Sequence, residues 1–361
     1  MNWSTQITAL LGTAYPIVQA PMFGVTTPKM VAAAAATGAL GTLALGDVPY
    51  EKCIAAIAAT KRLTALPFAV NIFVNSMPKV SEKLRSHYSK VSSFIATLAH
   101  QHGLEVELPK FEEIHLTDYR EQVAAIIASE CKIVSFTFGN LDEPSIALLK
   151  ENNTLLIGTC TSVAEAQILE ESGIDIICVQ GLEAGGHRGS FHATAIPQIG
   201  GLSLLSQVHD HIDKPLIYAG GIYNARTLLA AKQLGAAGFQ VGSLLLKSRE
   251  SALLDFEKQR LSRVQESDII LTRSFSGRFT RAIINTFIET LDGTDYILPY
   301  PYQNKLTNAL RKAAKAKGNT DFVGIWVGQS IHPYRDGSTG DILQELIREV
   351  EGVQLNNAIS H

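Results

Sequence analysis

The sequence predicts a (β/α)8 TIM barrel carrying a second, smaller, mainly helical lid domain. Three observations support this. Eight short apolar, β-prone runs recur along the chain with helical stretches between them, the alternation of a parallel sheet. The runs are nearly continuous hydrophobics, as expected of strands covered on both faces. A complete barrel takes roughly 250 residues, so about 100 of this chain are left for another module.

In chain order the runs are PIVQAPM from Pro16, ALGTLAL from Ala39, FAVNIFV from Phe68, KIVSFTF from Lys132, LLIGTC from Leu155, IDIICVQ from Ile174, PLIYAGG from Pro215 and GFQVGSLLL from Gly238. Helical patterns separate them. SVAEAQILEESG starts at Ser162, and NARTLLAAKQLGAAG starts at Asn224 with an N-capping side chain and closes on glycine. Periodicity alone does not exclude an open sheet, but eight units favour closure. Two stretches fall outside the pattern. The segment from Asn75 to about Tyr119 is too long for an ordinary connection and holds its own helix near Val80 to His102. The tail after Ser267 holds further helices and FVGIWVGQ. The expected division is therefore a barrel of residues 1–74 and 120–266, and a lid of residues 75–119 and 267–361.

Composition narrows the function. The chain has 31 basic and 34 acidic residues, well mixed, for a net charge of −3, with no basic run to suit nucleic acid or an anionic membrane. A small molecule is the expected partner. The four cysteines, Cys53, Cys131, Cys160 and Cys178, form no CxxC pair and no metal-ligand spacing, so no metal is expected. Their use as buried thiols fits a reducing cytoplasm. MNWSTQITALLG lacks the basic-then-apolar order of a signal peptide. The most apolar window, from Val31, falls short of the roughly 20 residues of a membrane span and reads as helix, glycine turn and strand.

Barrel enzymes build their sites at the C-terminal ends of the strands. The residues there are Met22 and Gly24 after the first run, Asn71 at the third, and Gln180, Gly181, Glu183, Gly185, Gly186, His187 and Arg188 after the sixth. Gly220 and Gly221 follow the seventh, and Gln240, Val241, Gly242 and Ser243 end the eighth. The last two groups suit a phosphate, because glycine lets backbone N–H groups approach an oxyanion. Asn71 and Gln180 could pair with the imide edge of a flat heterocycle such as a flavin, or could tie down neighbouring backbone; both readings stay open. Of ten histidines, His187 alone sits in a glycine-rich loop just beyond a barrel strand. Imidazole there can accept a proton or stabilise an anion. His192 is a second choice; His87, His100, His209 and His361 read as solvated, and Arg188 as an anion partner or, somewhat preferred, the partner of a surface carboxylate. GVTTPK and GGIYNA are neither GxGxxG nor a P-loop, and GxSxG and HExxH are absent.

Taken in order, QAPMFGVTTPKMVAAAAATGALGTLALG, FAVNIFV, QGLEAGGHRGSF, YAGGIYNARTLLAAKQLGAAGFQVGS, TRSFSGRFTRAI, PYPYQNKLTNALRKAA and IWVGQS resemble the nitronate monooxygenases, also called 2-nitropropane dioxygenases. EAGGH alone is shared with flavin-dependent enoyl reductases, whereas the tail with PYP and WVGQ is closer to the monooxygenases. The resemblance implies non-covalent FMN held by Met22, Asn71, Gln180, Gly185, Gly220 and residues Gln240, Val241, Gly242 and Ser243, with His187 catalytic. It implies oxidation of an alkyl nitronate, such as propionate 3-nitronate, by O2 to a carbonyl compound and nitrite, in a monomer or homodimer. Tyr300 and Phe23 are carried over as substrate-facing positions. Phe23 and Val25 stand where related sequences often have small residues, and Asn304 and Asn308 where some have Tyr and Lys. Two rival readings are an NAD(P)H-dependent flavin reductase of an enoyl thioester or quinone, and a flavin-free phosphosugar-binding barrel.

Overall fold

The computed structural model describes residues 3–331 and 334–359. Eight parallel strands form the expected barrel: β1 (Ile17–Gln19), β2 (Gly41–Gly46), β3 (Phe68–Phe73), β4 (Ile133–Thr137), β5 (Leu155–Cys160) and β6 (Ile176–Gln180), then, beyond the two-residue β7 (Gly186–His187), β8 (Leu216–Ala219) and β9 (Gly238–Val241). The sheet runs β1-β9-β8-β6-β5-β4-β3-β2. A parallel bridge from Val18 to Leu40 joins its two ends, with Gln19 N–H donating to Leu40 O at 2.8 Å and Leu40 N–H to Ile17 O at 2.8 Å.

The helices in chain order are α1 (Gln6–Leu11), α2 (Pro28–Ala36), α3 (Tyr50–Lys61), α4 (Glu82–Gln101), α5 (Tyr119–Ala128), α6 (Glu143–Glu151), α7 (Val163–Glu171), α8 (Gly201–His209), α9 (Ala225–Gln233), α10 (Asp255–Leu261), α11 (Thr286–Leu291), α12 (Tyr302–Ala316) and α13 (Thr339–Ile359). Local chemistry starts many of them. Thr27 caps α2 ahead of a proline in its first turn, Ser162 caps α7, and Asn224 accepts from Thr227 N–H at α9. Val18, Leu40, Ala69, Ile157, Cys178 and Ile217 fill the barrel interior, and Ile7 and Leu11 of α1 close the end where the strands begin. All four cysteines are free and buried; Cys160 and Cys178 lie on β5 and β6, and Cys53 on α3.

A second apolar cluster sits over the opposite, C-terminal end of the barrel. Helix α4 contributes Leu84, Tyr88, Val91, Ile95 and Leu98, the 4-3-4-3 spacing of one helical face, and α12 contributes Leu306, Leu310 and Ala314. This region is not only helical. Strands β10 (Ile269–Thr272) and β11 (Thr280–Ile283) form an antiparallel pair that β7 extends, Thr280 facing His187 and Arg281 facing Gly186. The site loop expected after β6 is therefore a strand of a second sheet. A two-residue strand carries no periodic signal, which is why the sequence reads as loop there. Helix α13 packs instead against α2 and α9, and Ile342, Leu343, Leu346 and Val350 join the core between the barrel strands and their helices. The tail after residue 267 thus divides its packing between the two clusters.

Candidate active site

The barrel mouth and the overlying cluster enclose a cavity of about 480 Å3. Its walls include Met22, Phe23, Asn71, Gln180, Gly185, His187, Gly220, Gln240, Gly242 and Ser243 from the expected set. Val241 is fully buried in the core, and Tyr300 stands behind the wall, its ring centroid 5.6 Å from that of Phe138 and 6.3 Å from that of His187. The cavity is also lined by Asn304, Asn308, Arg311, Lys312 and Lys315 of α12. No Asp or Glu lines it among the described residues.

Glycine shapes one wall because no other residue fits. A Cβ on Gly185 would lie 2.5 Å from Gly328 N and 2.6 Å from Val327 C, both backbone atoms. The same contact region is fixed by Gly328 N–H donating to Ser243 Oγ at 2.8 Å. The turns after β8 and β9 leave the N–H groups of Gly220, Gly221 and Gly242 out of the backbone hydrogen bonding among the described residues. Glu183 stiffens the same side: its carboxylate accepts from Gly201 N–H at 2.9 Å, at the start of α8, and from the Tyr218 hydroxyl.

His187 is held from both sides. Nε2 lies 2.9 Å from Ser276 Oγ, in the turn between β10 and β11. Phe73, Phe138, Tyr300 and Trp326 surround the ring with centroids 5.4–6.3 Å away. Burial first, then the positive charges of Arg278 and Arg311, push its pKa from 6.5 down to about 3. The imidazole is therefore neutral at neutral pH. Phe138 carries φ 81°, a backbone conformation that costs a bulky residue roughly 1–3 kcal/mol. Its N–H donates to Gly189 O at 3.2 Å, and the Arg278 guanidinium stacks on its ring at 4.2 Å.

The loop's supports differ from several expectations. Arg188 is no surface residue: it is 1% exposed and donates to Gly181 O at 2.6 Å and Gln180 O at 3.0 Å, tying the β6 end to β7. A single sequence shows an arginine in a polar loop; the second sheet that buries it comes from residues about 90 positions later. Gln180 spends its amide on the loop, Nε2 donating to His187 O at 3.0 Å and Oε1 accepting from Gly189 N–H at 2.8 Å, so it ties backbone while also facing the cavity. Asn71 Nδ2 donates to Ser135 Oγ at 2.8 Å, which leaves its carbonyl oxygen for a ligand. His192 is exposed and off the cavity wall. His100 and His209 are exposed as expected, whereas His87 is half-buried with Nε2 2.7 Å from Asp295 O; His361 lies outside the described residues. Sequence reasoning missed Glu165, a buried carboxylate that accepts from Thr161 N–H at 2.6 Å and Phe191 N–H at 2.8 Å and so braces the far end of the loop. It also missed Ser276, although the FSGR segment that carries it had stood out.

A barrel whose C-terminal mouth combines a glycine wall, amide edges and a buried neutral histidine defines a cofactor-using β/α-barrel enzyme. Comparison with known proteins agrees. A family model for nitronate monooxygenase matches residues 4–349. A probable nitronate monooxygenase of Staphylococcus saprophyticus is 38% identical over 98% of this chain and 99% of its own length, and one of Staphylococcus aureus is 36% identical over 96% and 98%. Among solved structures, a nitroalkane oxidase from Streptomyces ansochromogenes superposes with a TM-score of 0.88 at 31% identity, covering 98% of this chain and 99% of that one. FabK of Thermotoga maritima, at 23% identity and a TM-score of 0.76 over 99% of both chains, shares the fold. The chain belongs to the nitronate monooxygenase family, and it is a flavin-dependent oxidoreductase. Among the described residues, no helix is long and apolar enough to cross a membrane, and no group of acidic, His or Cys side chains could hold a metal ion.

Proposed function

We propose that the enzyme uses FMN to oxidise alkyl nitronates, such as propionate 3-nitronate, with O2 to a carbonyl compound and nitrite. The observation that carries this reading is a neutral imidazole and a cationic helix face meeting across a cavity with no acidic side chain among the described residues. An anionic substrate suits such a space, and a nitronate is already deprotonated.

The residues present fit FMN. The N–H groups of Gly220, Gly221 and Gly242 would receive its phosphate, with no lining carboxylate to oppose it. The carbonyl oxygen of Asn71 and the second N–H of Gln180 would meet the pyrimidine edge, beside Met22 and Gly185. Bound there, FMN supplies a reversible electron acceptor between the nitronate and oxygen.

The protein's part is to bind, orient and keep water out. Ser276 Oγ accepts from Arg278 N–H at 3.2 Å and lies 3.1 Å from Arg278 O, to which it gives its only proton. With the Ser276 proton on Arg278 O, Nε2 of His187 would donate to Ser276 and the basic lone pair would be on Nδ1. With a pKa near 3, His187 is a weak base, so proton removal from a neutral nitroalkane is slow and the nitronate is the preferred substrate. Phe23, on the wall and edge-on to Phe73 at 5.8 Å, narrows the space beside the reacting carbon. The cluster built on residues 75–119 and the segment after 267 acts as the lid, and the four buried thiols suit the cytoplasm.

Oxygen uptake and nitrite release test the proposal. Propionate 3-nitronate should drive both without NADH. Oxygen uptake that needs NADH, with no nitrite formed from the nitronate, would sink it in favour of the flavin reductase.

A further inference from the structure

The inner face of α12 holds an arginine that forms no ion pair among the described residues. Arg311 lines the cavity, and its guanidinium is pinned by neutral groups alone: Nη2 donates to Asn304 O at 2.9 Å and to Asn304 Oδ1 at 2.8 Å, and Nε lies 3.4 Å from Thr307 O. It takes part in no ion pair among the described residues, whereas its helix neighbours Lys305 and Lys315 are paired, at 2.7 Å with Asp47 and at 2.9 Å with Glu257. Nη1 makes no hydrogen bond among the described residues. A largely desolvated cation held in fixed orientation, with Nη1 unspent, is costly unless a ligand meets it.

Contacts place Arg311 on the His187 side of the cavity. Its Nε lies 3.4 Å from Thr307 O, Thr307 Oγ1 donates to Phe275 O at 2.6 Å, and the next residue, Ser276, has its Oγ 2.9 Å from His187 Nε2. The glycines suited to phosphate lie elsewhere, after β8 and β9. The two N–H groups of Nη1 suit the oxygens of a planar anion, a geometry shared by a carboxylate and a nitronate.

We propose that Arg311 is a substrate-binding residue, the anion subsite of this enzyme, and that it receives a planar two-oxygen anion of the substrate, either the nitronate group or a carboxylate carried at its far end. The proposal rests on the nitronate reading for its substrates and on the cavity geometry for its anion.

The test uses the enzyme as purified, with Arg311→Gln and Arg311→Lys variants checked for folding by thermal melting. KM is measured for propionate 3-nitronate, for propyl-1-nitronate, which lacks the carboxylate, and for neutral nitropropane. Losing a charge-assisted pair should raise KM for the bound anion about 10- to 100-fold in Arg311→Gln, with Arg311→Lys recovering part of the loss. A rise for both nitronates assigns the nitronate group; a rise for propionate 3-nitronate alone assigns the carboxylate. Unchanged KM for both, or an equal rise for neutral nitropropane, overturns the proposal. If the parent enzyme turns over neither nitronate, the nitronate reading has failed and the subsite is judged by calorimetric titration with propionate. Binding that weakens at least about tenfold in Arg311→Gln upholds the subsite, and binding that is absent or unchanged overturns it.

Discussion

The two walls of the cavity are built in opposite ways. The side formed after β6, β8 and β9 presents backbone: Gly220, Gly221 and Gly242 have N–H groups left over, and at Gly185 the chain approaches too closely for a Cβ. The side formed by α12 presents side chains: two exposed or half-exposed amides and three cations on one helical face. Backbone recognition suits a cofactor whose shape never changes, and side-chain recognition suits a substrate whose selection is adjustable by single substitutions. Asn304 and Asn308 lie on the adjustable wall.

Substitutions on and between the walls, and one titration, would break or sharpen that contrast. The largest effect belongs to the residue between the walls. His187→Asn should lower turnover of neutral nitroalkanes about 10²- to 10⁴-fold, because it removes the imidazole proposed to accept the proton, while sparing more of the nitronate activity. Steady-state rates on matched nitroalkane and nitronate check this, and equal losses would remove the base role.

Next come the supports of the glycine wall. Arg188→Met leaves the carbonyls of Gln180 and Gly181 without their buried donor and should cost about 3 kcal/mol of stability, read by urea unfolding. Arg311→Gln, which opens onto the cavity, should move the melting temperature far less while changing substrate affinity. Gly185→Ala drives a Cβ into the backbone of Val327 and Gly328 and should cost about 1–3 kcal/mol, with weakened flavin retention on dialysis. Gly242→Ala meets only Ala20 Cβ at 3.3 Å and Met22 Sδ at 3.8 Å, so its effect should be the smaller of the two.

A different kind of effect is one of pH. His187 has its pKa lowered from 6.5 to about 3, so between those values the unfolded chain binds a proton that the native chain does not. Its contribution to stability is complete above the unfolded value and is lost as pH falls toward the folded one. Unfolding free energy of the parent should therefore decline below pH 6.5 more steeply than that of His187→Asn, and identical slopes would contradict a buried neutral ring.

The contrast between the walls also explains what could be read from the sequence. Strands buried on both faces leave unbroken apolar runs, so all eight were visible, and a glycine required by a close approach is visible as a glycine. His187 stood out because it follows such a run. Arg188, Ser276 and Glu165 did not, because each acts through a partner that only tertiary packing brings near, 89 residues apart for His187 and Ser276 and 26 for Glu165 and Phe191. The docking of α12 was hidden for the same reason. Its amphipathic pattern marks Leu306 and Leu310 as buried, but nothing in it says that the adjoining polar stripe faces a cavity rather than solvent. Tyr300 shows the converse, an aromatic position carried over as a substrate contact that stands one layer behind the wall.

The most direct measurement is anaerobic mixing of the purified enzyme with propionate 3-nitronate and, separately, with NADH, followed by flavin absorbance. The cavity described here should give rapid loss of the oxidised flavin band with the nitronate and little change with NADH. Rapid bleaching by NADH and none by the nitronate would contradict it.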